Sequence, residues 1–197
     1  MRRVYLIRHG TTAANEKNLY YGATDIGLSE KGIAELKELK EKGIYPDFSS
    51  CTVFTSGMKR TAETLEILLP DANFSAETGL SEMDFGKFEM RSYEDLKNDP
   101  EYQTWITGDF MANVCPEGES GNAQCERAVR VFWDILAKTT GDVLIVSHSG
   151  TMTGIMQSLF PHEGENRWYW RCSGGCGFAV EFEGEQAVKY TRINAGD

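Results

Sequence analysis

The chain has 197 residues, 41% hydrophobic and 25% charged, and 20 Lys+Arg against 30 Asp+Glu give a formal net charge of −10. That length suits a single domain, 1–197, with a core large enough to need no staples, and the composition excludes a disordered chain. The acidic balance excludes nucleic acid and anionic membranes as principal partners, and no run approaches the ~18 apolar residues of a membrane span.

The first element is the apolar run Val4, Tyr5, Leu6, Ile7, apolar on both faces as a buried parallel strand requires. It is too short for a signal peptide, so the expected location is cytoplasmic. Next, Ile33, Leu36 and Leu39 mark a helix with Ser29 as N-cap and Gly43 past its end. Cys51 to Thr55 reads as a strand. Met58, Thr61, Ala62, Leu65, Leu68 and Leu69 then repeat at i, i+3, i+4, i+7, i+10 and i+11 until Pro70 stops the helix. Residues 84–118 carry turn residues, Trp105 and two short helical candidates behind Ser92 and Asp99-Pro100, and are read as an insertion over one end of the sheet. Cys125, Val129, Phe132 and Leu136 form a helical stripe from about Ser120. A second buried strand follows at Val143, Leu144, Ile145 and Val146, then a helix over 151–160, and a closing hairpin around Gly184. Strands alternating with helices predict an α/β fold, a three-layer α/β/α domain with a mostly parallel central sheet.

Five scattered cysteines, an odd number, read as reduced thiols. Cys172 and Cys176 form a lone C-x3-C with no partner pair, so no metal is expected there, and no cofactor elsewhere. Of only three histidines, His9 and His148 each follow one of the two buried strand-like runs. Side chains at the carboxyl ends of parallel strands face the crevice where ligands bind. Arg8 adjoins His9, and Arg60 lies off the apolar stripe of its helix, near the helix start. Guanidinium groups bind phosphate oxygens bidentately and helix amino termini favour anions, so two arginines and two imidazoles make a phosphate site. The sequence has no Walker loop after its glycines, no G-x-S-x-G and no H-x-x-x-H, which argues against nucleotide hydrolysis, serine hydrolysis and metal chemistry.

Six ordered segments then resemble the histidine phosphatase superfamily, the phosphoglycerate-mutase-like group. Arg8-His9-Gly10-Thr11-Thr12 with Asn15 is similar to R-H-G-x-T-x-x-N, and Gly22 to Ser29 with Gly32 to G-x-x-D-x-x-L-[ST]-x-x-G. Ser56 with Arg60, Thr61 and Thr64 resembles S-x-x-x-R-[TA]-x-x-T. Leu80, Glu82, Phe85 and Gly86 resemble L-x-E-x-x-F-G, Pro116 to Ser120 resemble P-x-G-E-S, and 143–151 resembles the second histidine segment. The resemblance implies a metal-independent phosphomonoester hydrolase acting on a small phosphorylated metabolite. In it His9 is the nucleophile, and Arg8, Arg60 and His148 hold the phosphoryl oxygens. Glu82 is the proton donor and later the base. Asn15, Thr11, Thr12, Tyr21, Gly22, Arg91 and Ser149 bind substrate. A neutral imidazole is a nucleophile near pH 7, and neighbouring arginines lower its pKa.

Three departures stand out. Ser149 separates His148 from Gly150; Phe88-Glu89-Met90-Arg91 replaces a W-E-G turn and offers Arg91 to a second anionic group; and Asn166 to Arg171 is unusually aromatic. That aromatic stretch suits either packing or a wall for an aromatic or nucleoside-like substrate. Residues 84–97 do not match the R-x-Y-G-x-L-x-G-L-N-K of phosphoglycerate mutases. Tyr20-Tyr21-Gly22, the short length and the aromatic tail resemble the alpha-ribazole phosphatase branch, with mutase, broad-specificity and sugar-phosphate phosphatases as the alternatives.

Overall fold

The structure is a computed structural model that describes residues 1–161 and 166–195. Six strands form one sheet in the order β3-β2-β4-β1-β5-β6. β1 (Arg2–Arg8), β2 (Thr52–Thr55), β3 (Ser75–Ala76) and β4 (Val143–Ser147) pair in parallel, while β5 (Gly177–Glu183) and β6 (Gln186–Ile193) add an antiparallel hairpin beside β1. The sheet is therefore mixed and mostly parallel, as the alternating pattern predicts.

Period-two alternation splits the strands between two cores. Val4, Leu6, Val143 and Ile145 pack with α6 (Gly121–Lys138) and α7 (Ser149–Leu159), through Ala128, Phe132, Ile135, Met152 and Ile155. Tyr5, Ile7, Leu144 and Val146 face the other way, onto Leu65 and Leu68 of α3 (Lys59–Leu68). α2 (Glu30–Glu41) lies against α3, so helices cover both faces.

The capping residues act as their chemistry requires. Ser29 accepts from the Gly32 N–H and Ser120 from the Ala123 N–H, each satisfying an otherwise orphaned donor of a first helical turn. Gly184 turns the hairpin at φ +62°, a left-handed conformation that glycine adopts without a Cβ penalty.

Residues 84–118 include α4 (Tyr93–Leu96) and α5 (Pro100–Ile106), capped by Ser92 and Asp99. Their apolar side chains Phe88, Leu96, Tyr102, Trp105 and Cys115 gather with Met83 in a third cluster, separate from the two sheet cores. α1 (Ala13–Glu16), one turn held by a Thr12–Asn15 capping box, and the two-residue β3 are elements the sequence pattern does not announce.

Candidate active site

Three parallel strands deliver the site. In register, Ile7 lies opposite Val146 and Arg8 opposite Ser147, so His9 and His148 leave neighbouring strands at the same level. The His9 N–H donates to the Ser147 carbonyl at 2.9 Å, and the two imidazole centroids lie 5.1 Å apart. Ser56 follows β2, and α3 begins three residues beyond it.

His9 is buried, and its Nδ1 sits 2.7 Å from the Gly10 carbonyl. That contact makes Nδ1 the protonated nitrogen and leaves Nε2, with its lone pair, without a hydrogen-bond partner among the described residues. Burial first, then the Arg60 and Arg8 cations, push the His9 pKa down to about 3. The ring is thus neutral across the physiological range.

His148 lies behind it, fully buried. Arg60 Nε donates to its Nδ1 at 3.2 Å, so its Nε2 carries the proton and donates to the Ser56 hydroxyl at 2.8 Å. Burial, then His9 and Arg60, hold His148 well below the usual imidazole value. Both of its nitrogens are engaged with protein, and it does not border the cavity described below.

Arg60 is anchored at the start of α3. Its two terminal nitrogens donate to the Thr24 and Gly22 carbonyls at 3.0 and 2.8 Å, and its guanidinium lies 4.9 Å above the Tyr21 ring. Arg8 Nη1 donates to the Cys172 carbonyl at 2.7 Å, while its Nε is buried without a partner. Asn15 Oδ1 accepts from Thr12 and from the Tyr21 hydroxyl at 2.8 Å. Its amide nitrogen remains for another acceptor.

Glu82 reaches in from beneath the insertion. Its Oε2 accepts from the Gly150 N–H at 2.8 Å and its Oε1 from the Met83 N–H at 3.1 Å. A Cβ at position 150 would lie 2.2 Å from Glu82 Oε1, so any side chain there would displace the carboxylate.

Arg8, His9, Asn15, Tyr21, Arg60, Glu82, Ser149 and Gly150 border one cavity of about 460 Å³. This volume suits a small-molecule ligand. Its lining also carries the aromatic rings of Tyr20, Phe85, Trp105, Phe110 and Trp168.

Besides His148, which was expected on the phosphoryl oxygens and lies behind the cavity, four expected binding residues are placed differently. Arg91 is drawn away to Asp99 at 3.3 Å and to the Asp95 carbonyl, because α4 and α5 bring those acceptors within its reach. It does not border the cavity. The Thr11 hydroxyl donates to Glu35, and Thr11 faces a neighbouring cavity of about 720 Å³ that shares Arg8 and Asn15. Gly22 acts through its backbone, its carbonyl holding Arg60 and its N–H donating to Glu89. Thr12 is buried and caps α1.

The aromatic tail divides. Trp170 is fully buried in the core, whereas Trp168 borders the cavity and stacks on Phe110 with centroids 6.0 Å apart. Residue-by-residue reading missed Ser56 as the partner of His148, although the motif had marked it, and missed Arg127. The latter holds the Gly79 and Ser81 carbonyls and the Glu119 carboxylate beneath Glu82. His162 lies outside the described residues. Among the described residues no three His, Cys, Asp or Glu side chains gather as a metal-holding group, and no helix is long and apolar enough to cross a membrane.

Two histidines at the ends of adjacent parallel strands, beside a buried and a half-buried arginine, are the mark of one class of protein. The chain belongs to the histidine phosphatase superfamily (branch 1), whose pattern matches residues 4–195. Among its relatives is the adenosylcobalamin/alpha-ribazole phosphatase of Salmonella typhimurium, 31% identical over 98% of this chain and 97% of that one. Phosphoglycerate mutase 1 of Saccharomyces cerevisiae is 27% identical over 81% of this chain and 78% of its own. The crystal structure of the alpha-ribazole phosphatase from Shigella flexneri superposes with a TM-score of 0.86 at 28% identity, covering 98% of this chain and 96% of that one.

Proposed function

We propose that this protein hydrolyses a small phosphomonoester through a phosphohistidine formed on His9. The observation that carries the reading is the His9 ring itself, held through Nδ1 on the Gly10 carbonyl with Nε2 unpartnered at a cavity bordered by Arg8, Arg60, Asn15 and Glu82. In the first step Nε2 attacks phosphorus and the P–O ester bond breaks. The leaving oxygen takes a proton from Glu82. In the second step the Glu82 carboxylate takes a proton from water as that water attacks the phosphorus. The P–N bond breaks, inorganic phosphate leaves and neutral His9 is restored. Arg8 and Arg60 stabilise the charge on the transferring oxygens, the main electrostatic task in phosphoryl transfer. His148 holds Arg60 Nε from behind and so fixes that guanidinium.

The favoured substrate is a phosphorylated metabolite with a largely apolar or aromatic leaving group, of the alpha-ribazole 5′-phosphate kind. The near-full-length relative of that name supports this, as does the ring-lined cavity. The mutase reading rests on the 27% identity to the yeast enzyme, but a phosphoglycerate would leave those rings unfilled.

The test is rapid quenching with phosphorylated substrate. Acid-labile, base-stable label should map to His9, and His9→Ala should abolish turnover with the fold intact. Label on His148 or on a serine would reverse the assignment. A panel of phosphomonoesters compared by kcat/KM separates the substrate readings, with 3-phosphoglycerate, primed and unprimed by a bisphosphate, as the mutase arm.

A further inference from the structure

Arg167 lies far from Glu82 in the sequence, yet it holds the carbonyl of the glycine whose N–H holds the Glu82 carboxylate. It opens a 3₁₀ turn, Arg167–Trp170, and borders the active-site cavity. Its Nη2 donates to the Gly150 carbonyl and to the Thr153 hydroxyl, each at 2.9 Å. Thr153 in turn donates to the same Gly150 carbonyl at 2.9 Å. The other face of Gly150 is its N–H, which holds Glu82 Oε2 at 2.8 Å. Gly150 is therefore clamped on both sides, by Arg167 at its carbonyl and by Glu82 at its amide.

The placement works against the electrostatics of the helix. Gly150 lies in the first turn of α7, where the helix dipole disfavours a cation. Among the described residues Arg167 has no carboxylate within ion-pair distance. Its Nη1 meets only the sulfurs of Met111 and Cys125, at 3.2 and 2.9 Å, and its Nε is buried without a partner. With no carboxylate beside it, this cation is compensated by these neutral acceptors and by the Trp168 ring, whose centroid lies 5.1 Å from its guanidinium carbon. It joins the insertion (Met111), α6 (Cys125) and α7 at the one glycine that aims Glu82.

We propose that Arg167 is a positioning residue for the acid–base step, fixing the Gly150 amide so that the Glu82 carboxyl faces the leaving oxygen. The inference rests on the phosphatase reading above and adds to it a residue distant in sequence from Glu82. Misplacing a reacting group by about 1 Å can cost ~10²-fold. Arg167→Met should therefore slow single-turnover phosphorylation by alkyl phosphates about ten- to hundredfold, and by p-nitrophenyl phosphate, whose leaving group needs little acid, far less. Inhibition by vanadate, which reads the Arg8 and Arg60 pocket, should be unchanged. Thr153→Val, a milder change in the same clamp, should show the same selectivity in smaller measure, and Arg167→Lys should recover part of the rate.

The deciding measurement is a double-mutant cycle with Glu82→Gln. If Arg167 acts through Glu82, Arg167→Met should add little to the loss already caused by Glu82→Gln. Additive losses, equal losses on both substrates, or a weakened vanadate affinity would overturn the proposal. A Glu82→Gln enzyme with normal alkyl-phosphate rates would bring down the Glu82 assignment itself, and this proposal with it.

Discussion

At the scale of single residues, the site depends on keeping two imidazoles uncharged. His9 is held near pKa 3 against an ordinary value of 6.5, and burial depresses His148 as well. Below pH 6.5 the unfolded chain takes up protons that the folded rings refuse. The unfolded state then binds more protons, so stability is lost as pH falls from about 6.5 towards about 3. Thermal melts across that window should show Tm dropping with acidity, and His9→Asn should flatten the slope. Parallel curves for the two proteins would contradict the assignment of this pH dependence to His9. Gly22 makes a different demand. A Cβ there would stand 1.7 Å from the Met83 carbonyl oxygen, with backbone on both sides of the clash. Gly22→Ala should push the loop away and release Arg60, whose Nη2 rests on the Gly22 carbonyl. The expected result is a lower Tm together with a raised KM and a depressed kcat. Unchanged kinetics would mean that Arg60 is held adequately by Thr24 and His148 alone.

At the scale of elements, the loop between α1 and α2 is organised by one carboxylate. Glu89 accepts from the N–H groups of Gly22, Ala23, Thr24 and Phe85 and from the Thr24 hydroxyl. Glu89→Ala would strand several donors and should cost about 2–3 kcal/mol, since bonds to charged groups are among the stronger ones. A melt within 1 °C of the parent would refute this account. Glu89 also shows what a sequence hides. The two central strands and the larger helices were legible because their apolar residues repeat at periods set by the backbone, and Ser29 and Ser120 cap where such residues must. β3 escaped notice because both its residues are exposed and carry no pattern. Arg91 was misread because its neutralising partner, Asp99, meets it only once α4 and α5 have folded. The two readings of the aromatic tail each described a part of it, because the turn at Arg167–Trp170 sends Trp170 inward and leaves Trp168 at the cavity. His9, Arg8 and Arg60 stood out by their places after a buried strand and at a helix start, whereas Glu82 stood out only through its flanking motif. Their mutual distances, and Ser56 as the partner of His148, depend on strand pairing that no local window contains.

At the scale of the whole molecule, an acidic protein of net charge −10 holds a cavity bordered by Arg8 and Arg60, with Glu82 as the one acidic side chain bordering it among the described residues. An anion is thus repelled by the whole and held by the site. Orthovanadate, a mimic of the transferring phosphoryl group, should inhibit in competition with substrate, and EDTA should leave turnover unchanged. A chelated enzyme restored by one divalent ion would replace the phosphohistidine scheme with a metal-assisted one.

The parallel pairing of β1 with β4 has one more consequence. The distance between His9 and His148 is fixed by a ladder of peptide bonds, Val4 opposite Val143 through Arg8 opposite Ser147, and owes nothing to the length of chain that joins the two strands. Descendants of such a gene can lengthen, shorten or exchange the stretch around the Gly108 turn without altering the spacing of the two imidazoles. Chemistry and substrate choice are in this sense separately heritable. Opening the chain at the Gly108 turn, whose φ is +78° and where a Cβ would meet nothing within 4 Å, and joining residue 197 to residue 1 through a flexible linker long enough to span the sheet should yield a permuted enzyme. Its phosphoenzyme should form at the parental rate, while its preference among leaving groups drifts.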